Sequence, residues 1–244
     1  MAPPEDAGRL FDRFHADYEE ALARALSVSG EDRLFFARQR ITFLAACLHD
    51  LGLGPRSVMD YGCGTGAAAP LFRELLRVDT VLGVDASEKS LAAARKAHGS
   101  PGTAFLPVSD YRPTAAFPLV YCNGVFHHVP PAQRPAVVRL VRESLEPGGL
   151  FALWDNNRWN PGARLVMRRI PFDRGAVVLS AREARRLLER EGFEVVRVDH
   201  LFVFPRLLRL LRPLETRLAR LPLGAQFQVL ARRPGGLKPL RHGW

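Results

Sequence analysis

The run Val58-Met59-Asp60-Tyr61-Gly62-Cys63-Gly64-Thr65-Gly66 constrains this chain more than any other stretch. Its apolar start reads as a short buried strand, its three alternating glycines as a tight turn, and residues 67–76 as a helix. Glycine has no Cβ, so such a turn reaches positive φ and lets a ligand come close to the main chain. A helix opening there presents unpaired N–H groups and the positive end of its dipole. Strand, glycine turn and helix together describe the ligand-binding edge of an open α/β sheet.

The surroundings narrow the ligand. Asp60 stands two residues before the first glycine, and a second strand, 80–84, ends in Asp85 one βαβ period downstream. A carboxylate in that position suits the two hydroxyls of a ribose. The dinucleotide spacing is met only weakly, through Ala67. An adenosine-type cofactor accounts for both acids; a turn that merely packs a helix on a strand accounts for the glycines alone.

Four segments carry a resemblance: DYGCGTG (60–66), GVDAS (83–87), YCNGVFHHVP (121–130) and LEPGGLFALW (145–154). As a set they are similar to the class I S-adenosylmethionine-dependent methyltransferases, over about residues 55–200. The resemblance implies an α/β, Rossmann-like fold: a seven-stranded, mostly parallel sheet with helices on both faces and an N-terminal helical lid. It implies S-adenosylmethionine as cofactor, with Gly62, Gly64 and Gly66 around its methionine half and Asp85 on both ribose hydroxyls. Asp60 and Ala86 flank these positions. The adenine would lie near Ser109 and Asp110, after the third strand, and Asn123 is the polar residue ending the fourth. Asn123-Gly124-Val125-Phe126 lacks the two prolines of an amino-methylating signature, which disfavours that chemistry.

The candidate catalytic groups follow at once. His127 and His128 come just after the fourth strand, and an imidazole there has the neutral-range pKa needed to take a substrate proton. Adjacent side chains diverge, so one of the pair is expected to face the pocket, with an orienting role as the alternative. Tyr18, on an amphipathic helix over residues 8–26, either points into the site or packs in the core. A second helix, 32–51, completes a lid spanning residues 1–54.

The methyltransferase domain is expected over 55–233, with two insertions. Residues 155–178 follow a sheet strand with an unusual density of Asx, tryptophan and arginine, and read as a substrate-recognition insertion. Trp154 and Trp159 would supply flat apolar walls, and Asn156, Asn157 and Arg168 would orient polar groups. Asp155 has no second acid at a metal-binding spacing, so no metal is expected. Further along, Ser180 and Glu183 form a capping box, and strands are expected over 194–204 and 227–231. Residues 205–224 form a basic amphipathic insertion, leucine-rich, ringed by arginine and interrupted by Pro213. It suits an anionic membrane surface, the domain itself or a second copy in a homodimer. The tail, 234–244, is rich in Pro and Gly and expected to be disordered.

Charge is unevenly placed. Residues 1–150 hold 16 Lys and Arg against 17 Asp and Glu, while residues 151–244 hold 19 against 8. The basic half invites an anionic partner. Nucleic acid is disfavoured, because the 206–220 arginines interleave with leucines and not with aromatics that could stack on bases. Cys47, Cys63 and Cys122 follow no pairing or zinc pattern and suit a reducing compartment. No basic-then-apolar leader opens the chain, and no apolar run is long enough to span a bilayer. The expectation is a cytoplasmic enzyme moving a methyl group from S-adenosylmethionine to a small molecule, at an oxygen. The alternatives are methylation of a lipid-linked or phosphorylated substrate at a membrane, or a cofactor-binding interaction module without turnover.

Overall fold

The structure, a computed structural model, describes residues 24–173 and 175–235. Tyr18, most of the first expected helix and the tail from residue 236 lie outside the described residues. Seven strands form one sheet in the order β3-β2-β1-β4-β5-β7-β6: β1 (Ser57–Tyr61), β2 (Thr80–Asp85), β3 (Thr103–Pro107), β4 (Phe117–Asn123), β5 (Leu145–Asn156), β6 (Glu194–Leu201) and β7 (Gln226–Arg232). All neighbours pair in parallel except β7, which runs antiparallel between β5 and β6. The Rossmann-like sheet is therefore the expected one. β7 is an inner strand, and β6 forms the edge.

Helices cover both faces. On one lie α1 (Arg33–Asp50), the short α2 (Ala69–Leu71) and α3 (Glu88–His98), which pack Ile41, Leu44, Leu71 and Leu91 over Val58, Tyr121 and Trp154. On the other lie α4 (Arg134–Ser144) and α6 (Ala181–Arg190), which pack Val138, Val141 and Leu188 over Met59, Val120 and Phe151. α5 (Pro161–Arg169) and α7 (Glu215–Leu218) belong to the two insertions. The apolar runs of β1 and β4 are continuous because helices bury them from both sides.

Local chemistry sets most helix ends. Asp32 caps α1 by accepting from the Phe35 N–H at 2.7 Å, Ser87 caps α3, and Ser180 with Glu183 closes both halves of its capping box on α6. Two boundaries differ from the sequence reading. The helix expected from residue 67 starts at Ala69, where Pro70 fits an opening turn, and passes into a π-helical turn, Phe72–Leu76, that stops at left-handed Arg77. β6 stops at Leu201 because Phe202 takes a φ of 67°, which turns the chain out of the sheet.

The order of strands places the site. The chain leaves β1 towards β2 on one side, and β4 lies on the other. The carboxyl ends of β1 and β4 therefore flank the switch point where open sheets bind ligands. Leu119, fully buried in central β4, should be a sensitive probe of this core. Leu119→Ala is expected to lower unfolding stability by about 2–5 kcal/mol in urea titrations.

Candidate active site

The glycine turn takes the expected form, with Gly62, Gly64 and Gly66 all at positive φ. Their roles differ. A Cβ at Gly62 would collide with Val125 Cγ2 in the loop after β4, so this glycine lets the two loops of the switch point close on each other. A Cβ at Gly64 would meet nothing within 4 Å, so its backbone borders open space. The Gly64 N–H donates to Asp85 Oδ2 at 2.7 Å, and Asp85 Oδ1 accepts from the Ser87 N–H at 2.9 Å. Asp85 is thus anchored at the carboxyl end of β2 with Ala86 exposed beside it. Ser109 and Asp110 are exposed after β3 and bonded to each other at 3.1 Å.

Asp60 lies buried one residue before the end of β1. Burial, with the Asp85 charge nearby, raises its pKa to about 7, against the pull of Arg40 and Arg33. Arg40 was not singled out in the sequence. It is a buried arginine on the inward stripe of α1, donating to the Tyr121 hydroxyl at 3.2 Å and to Gln226 Oε1 at 2.8 Å. Its position between Ala37 and Ile41–Leu44 was the available signal, since a charge on an apolar stripe requires partners. Asn123, at the end of β4, keeps a buried Oδ1 with no protein partner. An open backbone at Gly64, an anchored carboxylate at Asp85 and an orphaned acceptor at Asn123 fit an adenosyl ligand that carries hydroxyl and amine donors. A separate groove of about 540 Å³ opens between α1 and α3 beside Arg33 and Thr65, and none of the expected site residues lines it.

A second cluster, after β4, is built around His127. Its Nδ1 lies 2.6 Å from Asp155 Oδ1, and its Nε2 lies 3.7 Å from Asp173 Oδ1. Asp173 Oδ1 also lies 3.3 Å from His128 Nε2, and the two imidazole rings sit 4.1 Å apart. Asp155 is the next-to-last residue of β5, beside the end of β4, while Asp173 comes from the 155–178 insertion. Burial works against charge on His127, but Asp155 and then Asp173 overcome it and push its pKa up to about 10. His128 shifts the other way, downwards, through burial and the neighbouring His127 charge, with Asp173 opposing. Burial would raise Asp173, yet its bonds to the two histidines hold it below the usual carboxylate range. At neutral pH, His127 is therefore an imidazolium between two carboxylates and His128 is neutral. Of the two candidate bases, only His128 can accept a proton.

The donor atoms of His127, His128 and Asp173 fall within 4.8 Å of one another, close enough to share a cation. A protonated His127 offsets one of its two flanking carboxylates. Asp155 and Asp173 were missed as site residues. Asp155 could have been flagged as an acid inside a core strand, but nothing in the sequence links Asp173 to a histidine pair so far away.

The expected substrate residues divide. Trp154 is fully buried, edge-on to Phe43 in the core under α1, so it offers no wall to a substrate. Strand alternation decides this, because Trp154 and Asp155 point to opposite faces. Asn157 is buried too, and its amide donates to the carbonyls of Pro222 and Gly224. It tethers one insertion to the other. Asn156 accepts from Gln226 at 3.1 Å, Trp159 is exposed beside the Arg158 guanidinium, and Arg168 is exposed on α5.

These features agree with what the chain resembles among known proteins. A family profile described as a methyltransferase domain matches residues 36–198. An uncharacterised methyltransferase of Synechocystis sp. is 31% identical over 186 residues, 72% of this chain and 81% of that protein. The chain belongs to the S-adenosylmethionine-dependent methyltransferase family. Trans-aconitate 2-methyltransferase of Acidovorax sp. is 31% identical over 135 residues, 54% of this chain. The match spans half the length of that relative. A solved methyltransferase structure from Thermotoga maritima shares the fold, with a TM-score of 0.64 at 19% identity, covering 93% of this chain and 99% of that one.

Two outcomes follow for this methyltransferase. Gly62→Ala should lower the melting temperature, because the Cβ meets Val125 at a positive φ. Gly64→Ala should melt closer to wild type yet bind S-adenosylhomocysteine more weakly in calorimetry. His127→Gln should lose a pH-dependent share of stability. A group whose pKa rises on folding stabilises fully below its unfolded value and ceases to as pH climbs through the folded one. The melting gap between wild type and His127→Gln should be widest below about pH 6.5 and close as pH rises towards 10.

Proposed function

We propose that this protein transfers the methyl group of S-adenosylmethionine to a carboxylate oxygen of a small anionic acceptor. The cofactor, when bound, supplies a sulfonium methyl for in-line displacement. The chain's own residues then have three tasks. Asp85, anchored by Gly64 and Ser87, would hold the ribose, while the open face of Gly64 and the free acceptor on Asn123 would receive the remainder of the ligand.

The second task is to draw in and orient the acceptor. Exposed Arg164, Arg168 and Arg169 on α5 lie in the insertion that begins where β5 ends, at the carboxyl edge of the sheet. A guanidinium binds a carboxylate through two parallel N–H donors. Catalysis would then come mainly from proximity and alignment.

The third task is proton handling, and here one observation carries the reading. His127 lies buried with Nδ1 2.6 Å from Asp155 and Nε2 3.7 Å from Asp173, contacts that favour its protonated form. A site whose central histidine is an imidazolium suits an acceptor that arrives ionised and needs no base. The trans-aconitate 2-methyltransferases among the relatives support a polycarboxylate acceptor. Neutral His128 favours a second reading, a hydroxyl acceptor, for which it would take the proton.

The two readings separate by product chemistry. Incubation of the protein with methyl-labelled cofactor and a panel of di- and tricarboxylic acids should give a labelled product. Mild alkali should release that label as methanol, as from an ester. An alkali-stable label would indicate an ether and transfer the role to His128. Asp85→Ala should abolish binding of S-adenosylhomocysteine in calorimetry while keeping the fold by circular dichroism.

A further inference from the structure

We infer that the face built by the two insertions is a docking surface for an anionic lipid bilayer. Its core is the 3-10 segment Arg206–Leu214, with the sequence Arg-Leu-Leu-Arg-Leu-Leu-Arg-Pro-Leu. In a 3-10 helix, residues three apart stack on one edge. Leu208 leaves helical φ/ψ and kinks the segment, so the stacking holds from residue 209 on, where Arg209 lies over Arg212, Leu210 over Pro213 and Leu211 over Leu214.

The segment lies with its apolar edges outward. Arg206 donates to the Gly30 carbonyl at 3.2 Å. Arg212 pairs with Glu31 at 2.8 Å and covers the Phe35 ring at 4.6 Å. Leu207 and Leu210 are 92% and 87% exposed, and Leu208, Leu211 and Leu214 remain exposed as well. Arg206 and Arg209 are exposed too, so leucines and arginines reach solvent together, against the usual order in which leucines face the core. The hydrophobic effect penalises such an arrangement unless something apolar covers it.

The second insertion extends the surface. Asn157 binds the carbonyls of Pro222 and Gly224, and Asn160 binds the Leu223 carbonyl at 2.8 Å. These bonds join exposed Trp159 and Leu165 to exposed Leu221 and Leu223. Of the 14 large apolar side chains exposed among the described residues, ten fall within 157–179 and 202–225. The same two segments contain ten arginines and only two acids, Asp173 and Glu215. Asp173 is buried against the histidines, Glu215 accepts from the N–H groups of Phe202 and Phe204, and Glu183, Glu31 and Asp199 pair with Arg158, Arg212 and Arg220, so the positive surface rests on exposed Arg164, Arg168, Arg169, Arg209 and Arg217.

Charge identifies the occupant as anionic, and shape identifies it as a bilayer. Leu207 and Leu210 protrude from a convex element and would need a matching cavity in a protein partner. A bilayer interface receives protruding leucines without one, while flanking arginines meet its headgroups. The two insertions follow the carboxyl ends of β5 and β6, so docking would turn the mouth of the site towards the lipid. The docking is independent of which acceptor is methylated.

The test is co-sedimentation of the full chain with phosphatidylcholine vesicles, with and without phosphatidylglycerol, at low and high salt. The expected result is pelleting with the anionic vesicles only, reversed by salt. Leu207→Ser/Leu210→Ser and Arg209→Glu/Arg217→Glu should each weaken binding by at least about tenfold. Both variants should keep the wild-type melting temperature and affinity for S-adenosylhomocysteine, which separates lost docking from lost folding. The proposal fails if the protein stays in the supernatant with anionic vesicles. It also fails if both vesicle types pellet it equally. Finally, it fails if light scattering shows a dimer that Leu207→Ser/Leu210→Ser dissociates, since the face would then belong to a second copy.

Discussion

Two buried carboxylates share one imidazolium at the carboxyl edge of the sheet, and the acceptor half of the site is arranged around that sharing. Asp155 fixes His127 from the end of β5, and Asp173 reaches it from the insertion. An unpaired carboxylate at either buried position would be costly, and so would an unpaired imidazolium between them. Each charge is tolerable because of the others. The loop after β4, the end of β5 and the insertion are therefore held in one geometry. Backbone bonds reinforce it: Val177 donates to the His127 carbonyl at 2.9 Å, and Arg134 reaches the carbonyls of Phe126, Val129 and Val177.

The cofactor half follows a different logic. There, Asp60 lies near the Asp85 charge, with Arg40 and Arg33 pulling the other way. Asp60 yields, its pKa raised to about 7, while Asp85 is satisfied by two backbone N–H groups. Arg40 moderates the cost from the opposite side and ties α1 to β4 and β7 through Tyr121 and Gln226. Asp60 and Asp85 thus gather acidic groups at the carboxyl ends of β1 and β2. At the end of β4, His127 is buried between Asp155 and Asp173, and the arginines of the neighbouring insertion are exposed on α5.

Legibility in the sequence varied with the range of the interactions involved. Elements set by neighbours in the chain were readable: the strand–glycine–helix unit, the Ser87 cap, the Ser180–Glu183 box and the apolar stripe of α1. Boundaries set by a single unusual dihedral were not, as at Arg77 and Phe202, where non-glycine residues take positive φ. Trp154 misled because its composition suggested a binding wall, whereas the face of β5 on which it falls put it in the core. Asn157 misled in the same way. Its amide serves two backbone carbonyls 65 and 67 residues away, a pairing without any local signature.

By itself the sequence determined the fold class, the glycine turn after β1 and the carboxylate that ends β2, because each depends on residue types at short fixed spacings. Only the tertiary structure decided which histidine is charged, since that depends on two carboxylates brought in from distant segments. It alone decided that the leucines of Arg206–Leu214 face outward, because a periodic stripe records which residues share an edge but not which way the edge turns. Orientation follows from what the arginines find to bind, and Glu31 and Gly30 are supplied by a part of the chain more than 170 residues away.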